Sequence, residues 1–209
     1  MMKKIFLLML TLVSLLSLAG ISFAHGENEV TETVITLENG VVGTLALPAS
    51  DAPVPAVLML HGFASMRDEV GDMFKRLAAE LGERGIASLR IDFRGWGESA
   101  GEMTGSTVSG MVEDAAAAYA VLSTTDGIDA ARIGVVGFSL GGSIAVFSGG
   151  QHPDDYQSMA IWSAPGSLLD AYMDGFGQAN FDTAAAEGEV TIDLGFRTVT
   201  LSDDFFTSL

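Results

Sequence analysis

Residues 132–147, "RIGVVGFSLGGSIAVF", constrain this chain more than any other stretch. A β-branched apolar run ends at Gly137, and a run of small apolar residues suited to a helix begins just after Ser139. A strand, a sharp turn and a helix in that order leave one side chain free at the crest of the turn, and here it is Ser139. Gly137 and Gly141 then have a steric reason, because backbone packs so closely across such a turn that a Cβ would clash. A G-x-S-x-G pentapeptide means little alone in a chain with 25 glycines. The strand before it and the helix after it carry the reading.

The same alternation runs through much of the chain. "ETVITLENGVVGTLALP" places two β-rich runs around Asn39-Gly40, a hairpin signal because Asn and Gly tolerate positive φ. "AVLMLHGF" is the continuous apolar run of a strand buried on both faces. From Asp68, the spacing of Val70, Met73, Phe74, Leu77 and Leu81 predicts a helix that stops at Gly85. "IASLRIDF" predicts a strand, Ser109 to Leu122 a helix, Leu140 to Phe147 a helix, and "SMAIWSA" a strand. This is an α/β pattern: a mostly parallel sheet flanked by helices, opening with an antiparallel hairpin. From Pro165 the rhythm fades, and residues 166–209 read as an insertion over a site.

Residues 1–24 read differently. Lys3 and Lys4 precede an apolar run, and "SFA" ends it, which is the pattern of a cleaved signal peptide and places the protein outside the cytoplasm, periplasmic or extracellular. An uncleaved membrane anchor is the alternative, since Ile5 to Phe23 nearly spans a bilayer. If the segment is removed, no stable anchor remains, and Lys75 is the only lysine left. A formal charge of −17 argues against nucleic acid as a partner. The absence of Cys excludes disulfides and cysteine metal sites, and three scattered His argue against a histidine metal site.

"LMLHGF", "RIDFRGWGES" and "VGFSLGG", in that order, resemble the α/β-hydrolase superfamily, closest to its serine-aminopeptidase-like and feruloyl-esterase-like acyl hydrolases. The resemblance runs from Thr31 to about Pro165, giving a core at 25–165 and a cap-like insertion at 166–209. It implies Ser139 as nucleophile and the N–H groups of Phe63 and Leu140 as oxyanion-hole donors. It implies a structural role for the Asp92–Ser99 turn, including Arg94 and Glu98, and no cofactor. Trp162 is a candidate for the wall of an acyl pocket, with a packing role as the alternative.

A serine of this kind needs an imidazole within hydrogen-bond reach. His152 lies 13 positions beyond Ser139, about 20 Å away if the intervening segment is all helix. It is expected to end that helix. His25 would be the first residue after signal cleavage. His61 lies near the site but is expected to brace the oxyanion loop. Asp170, Asp174, Asp182, Asp193, Asp203 and Asp204 follow no recognisable core strand. The catalytic acid and His are therefore expected to be missing: the fold is incomplete at its C-terminus and the chain is a truncated form.

Two consequences are expected. The strand at Met159–Trp162 becomes an exposed apolar edge that invites self-association. The parent is an exported esterase-type serine hydrolase acting on a small ester or acyl substrate; a non-catalytic binding protein or a peptidase of the same fold are the alternatives.

Overall fold

In a computed structural model, residues 29–209 are described. The expected signal peptide and His25 lie outside the described residues. Strands β1 (Val30–Thr36) and β2 (Val42–Pro48) pair antiparallel across the Asn39-Gly40 turn, where Gly40 takes φ 85° and the Asn39 side chain accepts from the Val41 N–H. The alternating units are β3 (Val54–Leu60), α1 (Met73–Glu83), β4 (Ala87–Asp92), α2 (Val108–Thr124), β5 (Ile128–Phe138), α3 (Leu140–Gln151) and β6 (Ser158–Trp162). The sheet order is β1-β2-β4-β3-β5-β6, antiparallel at β1/β2 and β2/β4 and parallel from β4 to β6. The expected fold class holds: a mostly parallel sheet flanked by helices.

Period-two alternation within the strands decides which helix covers which face. Leu58 and Leu60 of β3 join a core with Met111, Ala115, Ile144 and Ala145 of α2 and α3. Met59, with Val136 of β5, faces Phe74 and Ala78 of α1. Among the described residues no helix is long and apolar enough to cross a membrane.

Three segments depart from the sequence reading. The helix read from Asp68 begins only at Met73, because Gly71 (φ 60°) and Asp72 (φ 55°) break the winding; Val70, placed on the apolar face by its spacing, is 68% exposed. Helix α3 runs past Phe147 to Gln151, with His152 as its C-cap. The tail is more regular than its rhythm suggested, containing α4 (Leu168–Phe176), α5 (Gln178–Glu187), an antiparallel hairpin of β7 (Glu189–Asp193) and β8 (Thr198–Ser202), and α6 (Asp203–Thr207). Its strands are five residues long, too short for a clear pattern, and gain their structure by burying Val190, Ile192, Val199 and Leu201 in the common core. Tyr172, Phe176 and Phe205 meet Phe63 with ring centroids 5.3–5.8 Å apart, seating the tail over the C-terminal ends of the parallel strands.

Candidate active site

Ser139 stands between β5 and α3 at φ 52°, ψ −119°, a backbone conformation that costs a residue with a Cβ about 1–3 kcal/mol. Its N–H donates to the Trp162 carbonyl (2.9 Å), and its own carbonyl accepts from the Gly142 N–H (3.0 Å), which starts the helix. The two flanking glycines have the expected reason. A Cβ on Gly137 would lie 2.1 Å from the Gly141 carbonyl oxygen, and one on Gly141 would lie 2.0 Å from the Leu60 carbonyl oxygen. The turn is thus locked between β3 and its own helix.

Strain gathers around this point. Among the described residues the non-glycine positions with positive φ are Ala64, Glu69 and Asp72 after β3, Ser139 after β5, and Ser163 after β6. All follow adjacent parallel strands at their C-terminal ends, the place where open α/β sheets bind ligands. A cavity of about 400 Å³ opens there, lined by Phe63, Ser139, Leu140, Ser163, Tyr172 and Phe176 among others. The structure therefore brings Ser139, Phe63 and Leu140 to one cavity. Neither the Phe63 nor the Leu140 N–H finds a backbone or side-chain acceptor among the described residues, and Leu140 is the first residue of α3, at the positive end of its dipole. Two free donors beside a free hydroxyl can stabilise negative charge developing on a carbonyl oxygen attacked by that hydroxyl.

His61 and His152 sit where the sequence reading left them. His61 is buried at the end of β3; its Nδ1 bonds the Gly62 carbonyl (2.7 Å) and its Nε2 accepts from the Phe93 N–H (3.2 Å), which requires the neutral Nδ1–H tautomer. Burial lowers its pKa, only partly offset by the Gly62 carbonyl and by Asp92 and Glu69. With both nitrogens engaged it braces the loop and is not free to take a proton from Ser139. His152, exposed, caps the far end of α3, about 18 Å from the serine end of a twelve-residue helix. Asp170, Asp174, Asp182, Asp193 and Asp204 are exposed and Asp203 half-buried, and none of them lines the cavity.

The Asp92–Ser99 turn is structural. The fully buried Asp92 carboxylate accepts from the Arg67 N–H (2.6 Å), the Arg67 guanidinium and the Glu98 N–H (3.0 Å). Glu98 also pairs with Arg67, and Arg94 pairs with Asp114. Trp162 does not line the cavity; it is 46% exposed and meets Phe138 edge-on at 6.2 Å, which corrects the acyl-wall reading.

Sequence reasoning missed three residues. Tyr172 lines the cavity with a buried hydroxyl that has no hydrogen-bond partner among the described residues, and burial pushes its pKa upward. Ser163 lines the same cavity on strained backbone. Glu69, read as part of a helix, is buried in the loop after β3. The Gly-Asp pair at 71–72, a helix breaker, was the available signal that Glu69 lies outside the helix.

The family model for serine aminopeptidase, S33, matches residues 51–193. The chain is 33% identical over 107 residues to the esterase EstD of Thermotoga maritima, covering 49% of this chain and 26% of EstD. Among solved structures it is similar to an esterase of Pyrococcus furiosus (26% identity, TM-score 0.57, 75% of this chain and 56% of that one). It shares the fold of Est1E of Butyrivibrio proteoclasticus, solved with ferulic acid bound (19% identity, TM-score 0.62, 84% of this chain and 69% of that one). The chain spans about a third of the length of the first curated relative it matches, an uncharacterised 31.7 kDa Escherichia coli protein (32% identity over 106 residues, 51% of this chain and 36% of that protein).

Proposed function

The chain belongs to the serine aminopeptidase S33 family of α/β hydrolases, and from that membership we propose that it is the nucleophile-bearing part of an exported serine esterase. Ser139 attacks the carbonyl carbon of a small ester, and the N–H groups of Phe63 and Leu140 receive the oxyanion. Collapse of the tetrahedral intermediate expels the alcohol, and water then releases the acid from the acyl-serine. The observation that carries the reading is Ser139 itself: a strained, crest-of-turn serine wedged by Gly137 and Gly141 and opening on a cavity with two unpaired N–H donors.

Among the described residues no histidine is placed to act as general base. His61 is fully engaged and His152 is remote, so the proposal assigns the imidazole and its carboxylate partner to a segment that follows Leu209 in the complete protein. That segment also gives β6 a neighbour. The similarity to esterases supports an ester substrate over a peptide.

The test is hydrolysis of p-nitrophenyl acetate and butyrate by the protein expressed from its complete reading frame, beside its Ser139→Ala form. Turnover with an initial burst of nitrophenol, lost in Ser139→Ala by about 10⁴-fold or more, is the expected result. Equal rates in the two forms, or a reading frame that closes at Leu209 and gives an inert protein, favour the non-catalytic binding reading.

A further inference from the structure

The loop after β3 carries a carboxylate that the chemistry above does not use. Glu69 is 7% exposed and holds φ 60°, ψ 172°, a backbone region otherwise nearly confined to glycine, at a cost of about 1–3 kcal/mol. No Lys or Arg forms an ion pair with it among the described residues. Three donors satisfy it instead: the Gly62 N–H on Oε2 (2.5 Å), and the Ser65 hydroxyl (2.7 Å) and the Val70 N–H (2.9 Å) on Oε1. A strained and buried carboxylate is tolerated where it holds something that matters.

What it holds is Gly62. The Gly62 carbonyl and the Phe63 N–H belong to one planar peptide unit and point in opposite directions. His61 Nδ1 fixes that carbonyl, so it also aims the Phe63 N–H. Glu69 fixes the Gly62 N–H, which belongs to the preceding peptide unit. With both peptide planes clamped, the two soft torsions of a glycine, the residue freest to rotate, are both set. Removing either clamp lets the Phe63 N–H swing away from the oxyanion position.

We infer that Glu69 is a positioning residue that, together with His61, pins Gly62 and thereby aims the Phe63 N–H at the oxyanion. A carboxylate is needed because both of its oxygens accept. Glutamine keeps the volume but turns an NH2 group toward one of the donors. The inference rests on the assignment of Ser139 as nucleophile, and it predicts a defect in the reaction step rather than in binding.

The experiment measures phosphonylation by an alkyl fluorophosphonate, separating the maximal rate constant from the half-saturating concentration, on the protein of the complete reading frame. In Glu69→Gln the maximal rate falls about tenfold to a hundredfold, less than or equal to the cost of losing an oxyanion donor outright, while half-saturation and melting temperature stay close to the parent. Ser65→Ala, which removes one of the three donors and spares the fold, slows the reaction by a smaller factor. Amide hydrogen exchange at Gly62 speeds up in Glu69→Gln. A folded Glu69→Gln protein that reacts at the parental rate overturns the inference and leaves Ser139 as nucleophile. Loss of melting temperature and of binding with no change in maximal rate makes Glu69 merely structural. If Glu69→Gln does not fold, an unchanged maximal rate in Ser65→Ala overturns the inference. A parent that does not react at all overturns the nucleophile assignment, and this inference with it.

Discussion

The two sides of Ser139 are built to different standards. On the β3 side the groups that set the loop are held: His61 by two bonds, Gly62 at both its N–H and its carbonyl, and Glu69 by three donors, while Gly141 packs where a Cβ would fall 2.0 Å from the Leu60 carbonyl oxygen. On the β6 side the strand is bare. All five residues of Ser158–Trp162 are exposed, with Met159 at 39%, Ile161 at 43% and Trp162 at 46%, although strands of a helix-flanked parallel sheet are ordinarily buried. The opposite edge of the sheet is different again. Strand β1 is also exposed but carries Thr31, Glu32 and Thr33, with Glu32 paired to Arg90, the polar character that discourages edge-to-edge pairing. The contrast teaches that a serine site needs two unlike things. The strained serine turn and its unpaired N–H groups are fixed by short local motifs, whereas among the described residues no histidine is placed to serve Ser139 as a base.

The most damaging change falls on the pinned side. Gly141→Ala drives a methyl group into the backbone of β3, and it should cost about 3 kcal/mol or more, or prevent folding, in urea denaturation. A variant of parental stability would mean that the turn is looser than the contact distances imply.

The next change falls on the open side. The 209-residue chain should self-associate through β6, and Ile161→Lys, which sets a charge on that edge, should return it to a monomer in sedimentation velocity while leaving its melting temperature within a degree or two. A parent chain that is monomeric at high concentration would show that the bare edge is harmless and weaken the contrast.

A smaller effect tests the engagement of His61. Its folded pKa is depressed from 6.5, so below that value the unfolded chain binds a proton that the folded protein does not. This contribution is complete above pH 6.5 and is lost as pH falls toward the folded value, by at most about 1.4 kcal/mol per pH unit. His61→Gln should therefore show a shallower loss of stability between pH 6.5 and 5.5 than the parent. An identical slope would place the charge change elsewhere.

The smallest effect has the opposite sign. The Tyr172 hydroxyl is buried without a partner among the described residues, at a cost of about 1 kcal/mol, while its ring packs against Phe63, Phe176 and Phe205. Tyr172→Phe keeps the rings and removes the orphan, so its melting temperature should rise by about 2–4 °C. A fall would reveal a bond that the hydroxyl makes in solution.

Much of the pinned side was legible in the sequence because its causes are local. Gly137, Ser139 and Gly141 fall within five residues, Asn39-Gly40 makes its own turn, and the strand runs announce burial by their continuity. Glu69 was not legible, since nothing in "RDEVGD" states that its carboxylate reaches back to Gly62; that partnership exists only once Gly71 and Asp72 have stopped the helix and the loop has closed. The tail was illegible for a related reason. Its five-residue strands and short helices gain order from Tyr172, Phe176, Phe205 and Phe206 packing against Phe63 and one another, contacts between residues far apart in the chain.

The most direct test of the account is the site of covalent capture. The protein from the complete reading frame is treated with a fluorophosphonate, digested and sequenced by tandem mass spectrometry. The account predicts one phosphonyl adduct, on Ser139 within "VVGFSLGGSIAVF", absent from the Ser139→Ala protein. An adduct on another serine, or none on a folded protein, contradicts it.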